Sequence, residues 1–399
     1  MICKKMAGKD NNIYSQLGVS SKKEEVHDAI KSLDKGLFPG AFCKIVEDAA
    51  GRHDYCSIFH ADGAGTKSSL AYMYYKETGD LTVFKGVVRD AIVMNIDDML
   101  CVGATGDFFL SNNLGRNGKR ISGEIISTII GEYDAYCKKL SSLGLNVVMC
   151  GGETADVGDL IKTLILDASV FTTMKREDVI DASNIKKNDV IVGLASNGKA
   201  SYEEEYNSGI GSNGLTLARH GTISHEYFKK YPECYDNSLD EKIIFFGKNK
   251  LIDPINEIGL TVGKALLSPT RTFSPVLVEV LKSYRREING IIHDTGGGQT
   301  KILNYGKGIR YVKNNLFQVP KIFEIIQRSS ETQWKEMFQV FNMGHRMEII
   351  CKEHTAKEII KIAKKYNIES KIIGQCEKAH SKSGNELEIL SEHGRFNYN

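Results

Sequence analysis

Four short polar stretches, three of them rich in glycine, lie far apart in the chain and constrain its fold most strongly. They are DGAGTK (62–67), MNIDD (94–98), GGETAD (151–156) and DTGGG (294–298). Glycine lets the backbone approach phosphate oxygens closely, and carboxylates hold the divalent metal that neutralises phosphate charge. We therefore expect the chain to fold so that these stretches meet around one polyphosphate and its metal.

Length and charge set the broad class of the protein. A chain of 399 residues is longer than one hydrophobic core usually supports, so two domains are expected. Lysine plus arginine (52) almost balances aspartate plus glutamate (50), and no basic block with interleaved aromatic residues occurs. This composition argues against a nucleic-acid partner. No apolar run approaches the length of a membrane span, which argues against a membrane protein.

The cysteines and the N-terminus indicate the compartment. The chain has 9 cysteines, an odd number, and no CxxC pair, which argues against a disulfide framework or a zinc site. The first residues, MICKKMAGKDNN, contain no apolar segment of the kind found in secretory signals. Both features predict a reducing, cytoplasmic location.

Hydrophobic periodicity and glycine positions predict an α+β fold. The elements predicted before residue 175 are a strand at 55–60, helices at 85–102 and 124–143, and strands at 146–150 and 164–174. Segment 175–189 is polar and aperiodic, so we place the domain boundary there, with domains at 1–176 and 177–399. The elements predicted in the second domain are strands at 190–195 and 289–293, a helix ending at Arg219 and a helix at 274–284. The acidic stretch 201–211 has the composition of a surface loop.

DGAGTK and MNIDD carry the clearest candidate ligands. Asp62 offers a hard oxygen to a metal and Lys67 a positive charge to a phosphate, although a structural turn whose aspartate caps a helix fits the hexapeptide equally well. Asp97 and Asp98 lie near the C-terminal end of a predicted helix, where carboxylates oppose the helix dipole and require a compensating cation. We assign the functional role to Asp98 and a structural role to Asp97.

Three further segments present carboxylates or bare backbone N–H groups. Glu153 and Asp156 of GGETAD would meet at one site if the segment turned helical after its strand; alternatively, the two glycines simply end the strand. The three glycines of DTGGG cost conformational entropy that structure alone seldom requires. His293, just before them, is a candidate proton carrier or a structural residue. SNG (212–214) opens a helix, which suits either a phosphate or ordinary capping.

In order and spacing, these stretches resemble the aminoimidazole ribonucleotide synthetase family, also called phosphoribosylformylglycinamidine cyclo-ligase. The family patterns DGVGTK, MNVND, GGETAE and HITGGG are similar to DGAGTK, MNIDD, GGETAD and HDTGGG in this chain. FFL (108–110), SNG followed by Arg219, SPTR (268–271) and, more weakly, IIGQC (372–376) match as well. The combination of SPTR with TGGG resembles the cyclo-ligase more than the related synthetases and kinases of the superfamily.

This resemblance implies a two-part α+β fold. The N-terminal domain would be a small sheet with helices on one face, and two such sheets would pair across a homodimer to close a barrel. The C-terminal domain would be a mixed sheet with flanking helices. ATP would lie in the cleft between the two domains.

The resemblance also implies an ATP- and Mg²⁺-dependent ring closure of a small molecule, formylglycinamidine ribonucleotide, in purine biosynthesis. The formyl oxygen would attack the γ-phosphate, the amidine nitrogen would then attack the formyl carbon, and phosphate would leave. The metal ligands implied by the family motifs are Asp62, Asp98 and Glu153. The implied nucleotide contacts are Asp62, Gly63, Gly65, Thr66, Lys67, Asn95 and Asp98. The implied substrate contacts are Ser212, Asn213, Thr295, Gly296, Gly297 and Gly298, and the implied catalytic residues are His293, Lys67 and Asp98.

Several positions depart from the family pattern. Asp97 replaces an asparagine, and Asp294 replaces an apolar residue, where we expect it to pair with His293 and raise the pKa of that imidazole. The acidic stretch lengthens a loop, and the N-terminal glycine-rich loop is reduced to FPGAF (38–42). Two alternatives stay open: another ATP-using member of the superfamily with a different substrate, and a non-catalytic scaffold paralogue, against which the retained acidic set argues.

Overall fold

A computed structural model describes residues 13–20, 28–381 and 384–399. The N-terminal segment on which the absence of a secretory signal was predicted lies outside the described residues, as does Cys3. The eight cysteines within the described ranges are all free thiols. Across those same ranges, no helix has both the length and the apolar character needed to cross a bilayer.

The described part of the chain forms two main β-sheets, one from each half of the sequence. The strands are β1 (Val46–Glu47), β2 (Tyr55–Gly63), β3 (Phe108–Arg116), β4 (Val147–Asp156), β5 (Leu164–Lys175), β6 (Val190–Ala195), β7 (Pro254–Ile255), β8 (Leu260–Thr261), β9 (Ile288–His293), β10 (Ile309–Lys313), β11 (His345–Cys351), β12 (Ser370–Lys378), β13 (Glu386–Ser391) and β14 (Gly394–Tyr398). The helices are α1 (Ile13–Gln16), α2 (Lys67–Thr78), α3 (Thr82–Leu100), α4 (Gly123–Ser142), α5 (Leu215–Thr222), α6 (Glu226–Lys230), α7 (Val262–Leu266), α8 (Ser274–Tyr284), α9 (Lys321–Ser330), α10 (Trp334–Val340) and α11 (Glu353–Lys365).

The first sheet has the strand order β1-β2-β5-β3-β4 and is antiparallel except for the parallel pair β3–β4. Side chains alternate between its two faces, as expected for strands. In β5, Leu166, Ala168 and Val170 are buried on the face covered by α3 and α4. The opposite face is open and carries exposed apolar side chains, including Phe59 and Phe109. The sheet thus has one covered and one uncovered face.

The second sheet has the strand order β14-β13-β10-β12-β6-β11-β9, with only β10 and β13 parallel. The seven residues of β11, which lies between β6 and the edge strand β9, are all buried. Helices α8 and α11 pack against each other and α11 also packs on β6. Two sheets, each with one parallel strand pair, and helices packed against them confirm the predicted two-part α+β fold. The polar segment 176–189 joins them.

Two local predictions need correction. GGETAD does not follow its strand: β4 continues to Asp156, because β3 provides parallel partners for it as far as that residue. The acidic stretch 201–211 is not simply a surface loop. Arg271 of SPTR donates two hydrogen bonds to the Glu203 carboxylate, at 2.9 and 2.5 Å, and Asn207 donates to the Pro269 carbonyl at 2.8 Å. The segment is therefore anchored on SPTR.

Candidate active site

Asp98, at the C-terminal end of α3, lies where the two domains meet. Its Oδ1 accepts a hydrogen bond from Nδ1 of His293, the last residue of β9, at 2.6 Å. Its Oδ2 lies 3.5 Å from Nε2 of His60 on β2. Burial by itself would raise the pKa of Asp98, but the hydrogen bond from His293 and the positive charge of Lys301 hold that pKa below its ordinary value. The functional role assigned to Asp98 thus has a matching position.

His293 presents a free ring nitrogen at the same place. It is fully buried, and its Nε2 has no hydrogen-bond partner among the described atoms. Burial lowers the pKa of His293 to about 4, although the contact with Asp98 acts in the opposite direction. Because the Asp98 carboxylate fixes the proton on Nδ1, Nε2 carries the lone pair near neutral pH. This arrangement can accept a proton.

Asp62 and Asn95 complete the cluster from the first domain. Asp62 follows His60 by two residues on β2, so both side chains project from the same face of the strand. Asn95 Nδ2 donates to the carbonyls of Asp62 and Ala168, both at 3.1 Å, and its Oδ1 lies 2.9 Å from His60 Nδ1. Asn95 therefore fixes β2 and β5 against α3. Burial and then the charge of Asp98 raise the pKa of Asp62, as expected for carboxylates that share one site.

The DGAGTK turn leads from this cluster towards the second domain. A Cβ atom on Gly63 would lie 1.7 Å from Asp167 Oδ1, so only glycine fits there. Gly65 has a φ of 55° and open space around it. Thr66 Oγ1 lies 3.3 Å from Thr216 Oγ1 at the start of α5. DGAGTK and the helix that follows SNG are therefore in contact.

The SNG and DTGGG turns face each other. A Cβ atom on Gly296 would lie 3.9 Å from Asn213 Nδ2. Gly298 has a φ of 49°, and a Cβ atom there would lie 2.5 Å from the Phe341 carbonyl oxygen, so packing requires this glycine. Helix α5 begins at Leu215 with Gly214 as its N-cap and no side-chain cap. Ser212 and Asn213 are consequently not used as caps and lie half-buried beside the glycine turn.

The structure places Lys67 away from any open cleft. Its ammonium group is fully buried, contacts both carboxylate oxygens of Asp90 at 3.0 and 2.9 Å, and donates to the carbonyls of Gly211 (3.1 Å) and Ser268 (2.5 Å). A lysine ammonium has only three N–H donors, and all of them have partners here. Lys67 thus joins DGAGTK to SPTR and to the end of the acidic stretch, and this geometry does not support the predicted contact with phosphate.

Glu153 is also not brought to the cluster within this chain. In the sheet, Glu153 pairs with Asn113 on β3, and Asn113 pairs with Asp167 on β5. Asp167 in turn pairs with Gly63 on β2. Glu153 on β4 is therefore separated from β2 by three interstrand spacings, which amount to about 14 Å. Glu153 is exposed on the open face of the sheet, whereas Asp62 projects from the face covered by α3. Within one chain, the metal set predicted from the family motifs is therefore limited to Asp62 and Asp98.

Asp97 binds the segment that leads into α8. Thr272 Oγ1 and the Phe273 N–H both donate to its carboxylate at 2.7 Å, just before α8 begins. Burial raises the pKa of Asp97 to about 7, against the effect of these hydrogen bonds. The carboxylate stabilises the N-terminus of α8, where negative charge is favourable.

Asp294 does not pair with His293, and the prediction that it raises the pKa of that imidazole is wrong. Consecutive residues of an extended segment project in opposite directions. Asp294 instead lies in a buried cluster with Glu348, Lys313 and His345, whose Nε2 is 3.8 Å from Asp294 Oδ2. Ligand atoms of Asp294, His345 and Glu348 lie within 4.8 Å of one another, but Lys313 Nζ, 2.5 Å from Glu348 Oε1, already provides a cation.

Sequence reasoning missed His60 and Lys301. Alternation along β2 was the available signal for His60, because it places that imidazole on the face that carries Asp62. Lys301 stands in the 3₁₀ segment Gly298–Asn304, directly after the triple glycine. Its Nζ donates to Thr295 Oγ1 at 2.5 Å. No local pattern distinguishes this lysine from its surface counterparts.

Comparison with known proteins identifies the family. The model of the N-terminal domain of AIR synthase related proteins matches residues 45–174, and that of the C-terminal domain matches residues 186–384. The chain belongs to the AIR synthase family. A phosphoribosylformylglycinamidine cyclo-ligase of Methanocaldococcus jannaschii is 32% identical to it, covering 84% of this chain and 82% of its own. That of Methanococcus vannielii is 30% identical, covering 90% and 86%. The resemblance inferred from the motifs is confirmed.

Solved structures share the AIR synthase fold. PurL of Thermotoga maritima, complexed with FGAR, has a TM-score of 0.53 at 14% identity and covers 95% of this chain. AaThiL, complexed with AMPPCP and TMP, has a TM-score of 0.50 at 10% identity and covers 94% of this chain and 95% of its own. This chain covers 49% of that PurL chain.

Proposed function

We propose that this protein is a cytoplasmic enzyme of purine biosynthesis that closes the imidazole ring of aminoimidazole ribonucleotide. It would couple the cleavage of ATP to ADP and phosphate with the cyclisation of formylglycinamidine ribonucleotide. One observation carries the proposal: Asp62, Asp98 and His293 converge between the two domains, beside glycine turns from both. Relatives that match most of the chain are named for this reaction.

The reaction requires positioning and charge neutralisation more than covalent chemistry. The formyl oxygen attacks the γ-phosphate of ATP and ADP leaves, which converts a poor leaving oxygen into a phosphate ester. The amidine nitrogen then attacks the formyl carbon, the C–O bond breaks and phosphate departs. The unpartnered Nε2 of His293 is suited to take the proton that the nitrogen loses.

Asp62 and Asp98 fit a magnesium ion. Both offer hard carboxylate oxygens, and the raised pKa of Asp62 reflects burial and the charge of Asp98, a repulsion that a cation would relieve. When bound, Mg²⁺ neutralises phosphate charge. In this proposal the nucleotide contacts come from Gly63, Gly65 and Thr66, with Asn95 holding the strands behind them. The substrate contacts come from Ser212, Asn213, Thr295, Gly296, Gly297 and Gly298.

A coupled assay tests the proposal. The purified protein with MgATP and formylglycinamidine ribonucleotide is expected to release ADP and to form aminoimidazole ribonucleotide in equal amounts. Parallel reactions contain formylglycinamide ribonucleotide with glutamine, or thiamine monophosphate. ADP release that depends on one of these substrates instead would favour another member of the superfamily, and no release with any substrate would favour a scaffold.

The open face of the first sheet supports a homodimer. Register pairs place Phe59, Phe171, Phe109 and Val148 in one row across four strands on this face. Phe59 is 68% exposed, far above what a stable core residue shows, and Phe109 is 43% exposed. Contiguous apolar surface of this kind marks an interface. We propose that a second copy of the chain covers it, and since Glu153 projects from this face, its metal role depends on that copy.

A Phe59→Lys variant is expected to shift the protein from dimer to monomer, because a buried lysine at the centre of an apolar interface lacks a partner charge. Sedimentation velocity at micromolar concentration measures the change. Leu160→Lys is the matched control, since Leu160 is 85% exposed but lies in the turn after β4. A wild-type monomer, or a Phe59→Lys dimer as stable as the control, would contradict this interface.

A further inference from the structure

The proposed phosphoryl transfer needs a cation at the developing negative charge. The sequence suggested Lys67 for this role, but the structure places Lys67 elsewhere. Interactions that neutralise charge on a transferring phosphoryl group are among the largest contributions to such reactions. Lys67 cannot supply this charge in the observed arrangement, because its ammonium group is buried against Asp90 and two carbonyls. Another cation near Asp62 and Asp98 is required.

Lys301 has the position and the uncommitted charge. It is half-buried at the start of the segment that follows the triple glycine. Its Nζ donates to Thr295 Oγ1 and lies 5.0 Å from the centroid of the Phe42 ring. In the ranges that the structure describes, Lys301 forms no ion pair with a carboxylate. A half-buried lysine with a hydroxyl and an aromatic ring as partners leaves its ammonium group available to an anionic ligand.

The surroundings hold Lys301 towards the cluster. Phe42, the last residue of FPGAF, stacks on Tyr305 with ring centroids 5.3 Å apart and an angle of 12° between the rings. Cys43, the residue after Phe42, donates its thiol hydrogen to the Asp98 carbonyl at 3.2 Å. The contact with Phe42 therefore places Lys301 next to the segment that is bonded to Asp98, at the domain junction.

We propose that Lys301 binds the γ-phosphoryl group of the nucleotide during its transfer, in place of Lys67. Thr295 holds the ammonium group beside the glycine turn until the phosphate arrives. Phe42 packs on the same side chain, which gives the shortened N-terminal loop a role in the site. This inference rests on the proposed function, since it concerns the same nucleotide site.

Nucleotide binding tests the proposal without the ring-closing reaction. Calorimetry with Mg·AMPPNP and Mg·ADP compares a nucleotide that carries the γ-phosphate with one that lacks it. In Lys301→Met, the affinity for Mg·AMPPNP is expected to fall about 10- to 100-fold, as for loss of a charge-assisted hydrogen bond, with Mg·ADP affinity within about threefold. The kcat is expected to fall about 100-fold. Lys301→Arg is expected to recover most of the AMPPNP affinity, which a merely structural role would not predict.

Lys307→Met is the matched control, because Lys307 is exposed six positions further on and carries the same charge. Equal losses of Mg·AMPPNP affinity in both variants would overturn the role of Lys301. An unchanged preference for Mg·AMPPNP over Mg·ADP in Lys301→Met would overturn it too. A wild-type protein without that preference would overturn it as well. If the wild type prefers Mg·AMPPNP and Lys301→Met loses the preference, but formylglycinamidine ribonucleotide elicits no ADP release, the proposed function alone fails.

Discussion

An Asp98→Asn variant is expected to lose about 10³-fold in kcat/KM for the ring closure, while its unfolding free energy stays near that of the wild type. Asparagine keeps the shape of the side chain and still accepts the hydrogen bond from His293 Nδ1. It removes the negative charge that the proposed Mg²⁺ site requires and that fixes the proton on the imidazole. Steady-state ADP release and denaturant unfolding measure the two quantities, and turnover within about threefold of the wild type would exclude Asp98 from the mechanism.

Asp97→Asn is the matched control for this experiment. Asp97 is the adjacent residue and is equally buried, but its carboxylate accepts hydrogen bonds from Thr272 and Phe273 at the start of α8. Its replacement is expected to lower the unfolding free energy by about 1 kcal/mol, as for loss of a helix cap, with little change in kcat. Opposite results at neighbouring positions would separate catalysis from folding.

A Glu348→Gln variant is expected to lose about 3–5 kcal/mol of unfolding free energy, because it leaves a buried lysine without its carboxylate. Glu348 Oε1 contacts Lys313 Nζ at 2.5 Å and His345 Nε2 at 2.9 Å. Lys313 then retains only the backbone and side-chain oxygens of Gln299 as partners. Equilibrium unfolding in guanidinium chloride measures the loss. A change below about 1 kcal/mol would show that the ion pair between Lys313 and Glu348 contributes little to stability.

Asp294→Asn is expected to behave differently from Glu348→Gln, although the two residues share the cluster. Asp294 is buried, and burial, followed by the charge of Glu348, raises the pKa of Asp294 well above its ordinary value. An acid with a raised folded-state pKa binds its proton more tightly in the native state. The contribution of Asp294 to wild-type stability therefore falls as pH rises above about 4, and Asp294→Asn lacks this loss.

Unfolding of Asp294→Asn and the wild type at pH 4 and pH 7 gives the comparison. The variant is expected to gain stability relative to the wild type between these two pH values. If it instead loses as much as Glu348→Gln at pH 7, Asp294 is ionised and bound to a cation.

Elements with a clear local signal were predictable from the sequence. The strand before DGAGTK, the helix that carries MNIDD and the strand before DTGGG all show apolar periodicity that ends in a glycine or an acidic turn. The end of the strand before GGETAD was predicted too early, because two consecutive glycines are typical of a strand end. The strand continues through them because β4 pairs with β3. Helix α2 had no predicted counterpart, since seven of its residues, Lys67 among them, are buried and its apolar residues form no single stripe.

The candidate site was predictable in its carboxylates but not in its cations. The sequence favoured Asp98 over Asp97. In the structure Asp98 contacts His293 and Asp97 contacts Phe273, because adjacent residues of a helix point in different directions. Whether a lysine ends in a cleft or in an ion pair depends on residues distant in sequence. Tertiary packing brings Lys67 into contact with Asp90 and Ser268. It likewise brings Asp294 next to Glu348.

The double anchorage of the acidic stretch on SPTR defines a site for protein engineering. Arg271 contacts Glu203 and the Pro269 carbonyl contacts Asn207, and neither contact involves Glu204, Glu205 or Tyr206. Loops fixed at both ends accept added length at little entropic cost. An epitope or a fluorophore-bearing peptide inserted between Glu204 and Tyr206 would thus label the enzyme while Glu203 and Asn207 keep their contacts with SPTR.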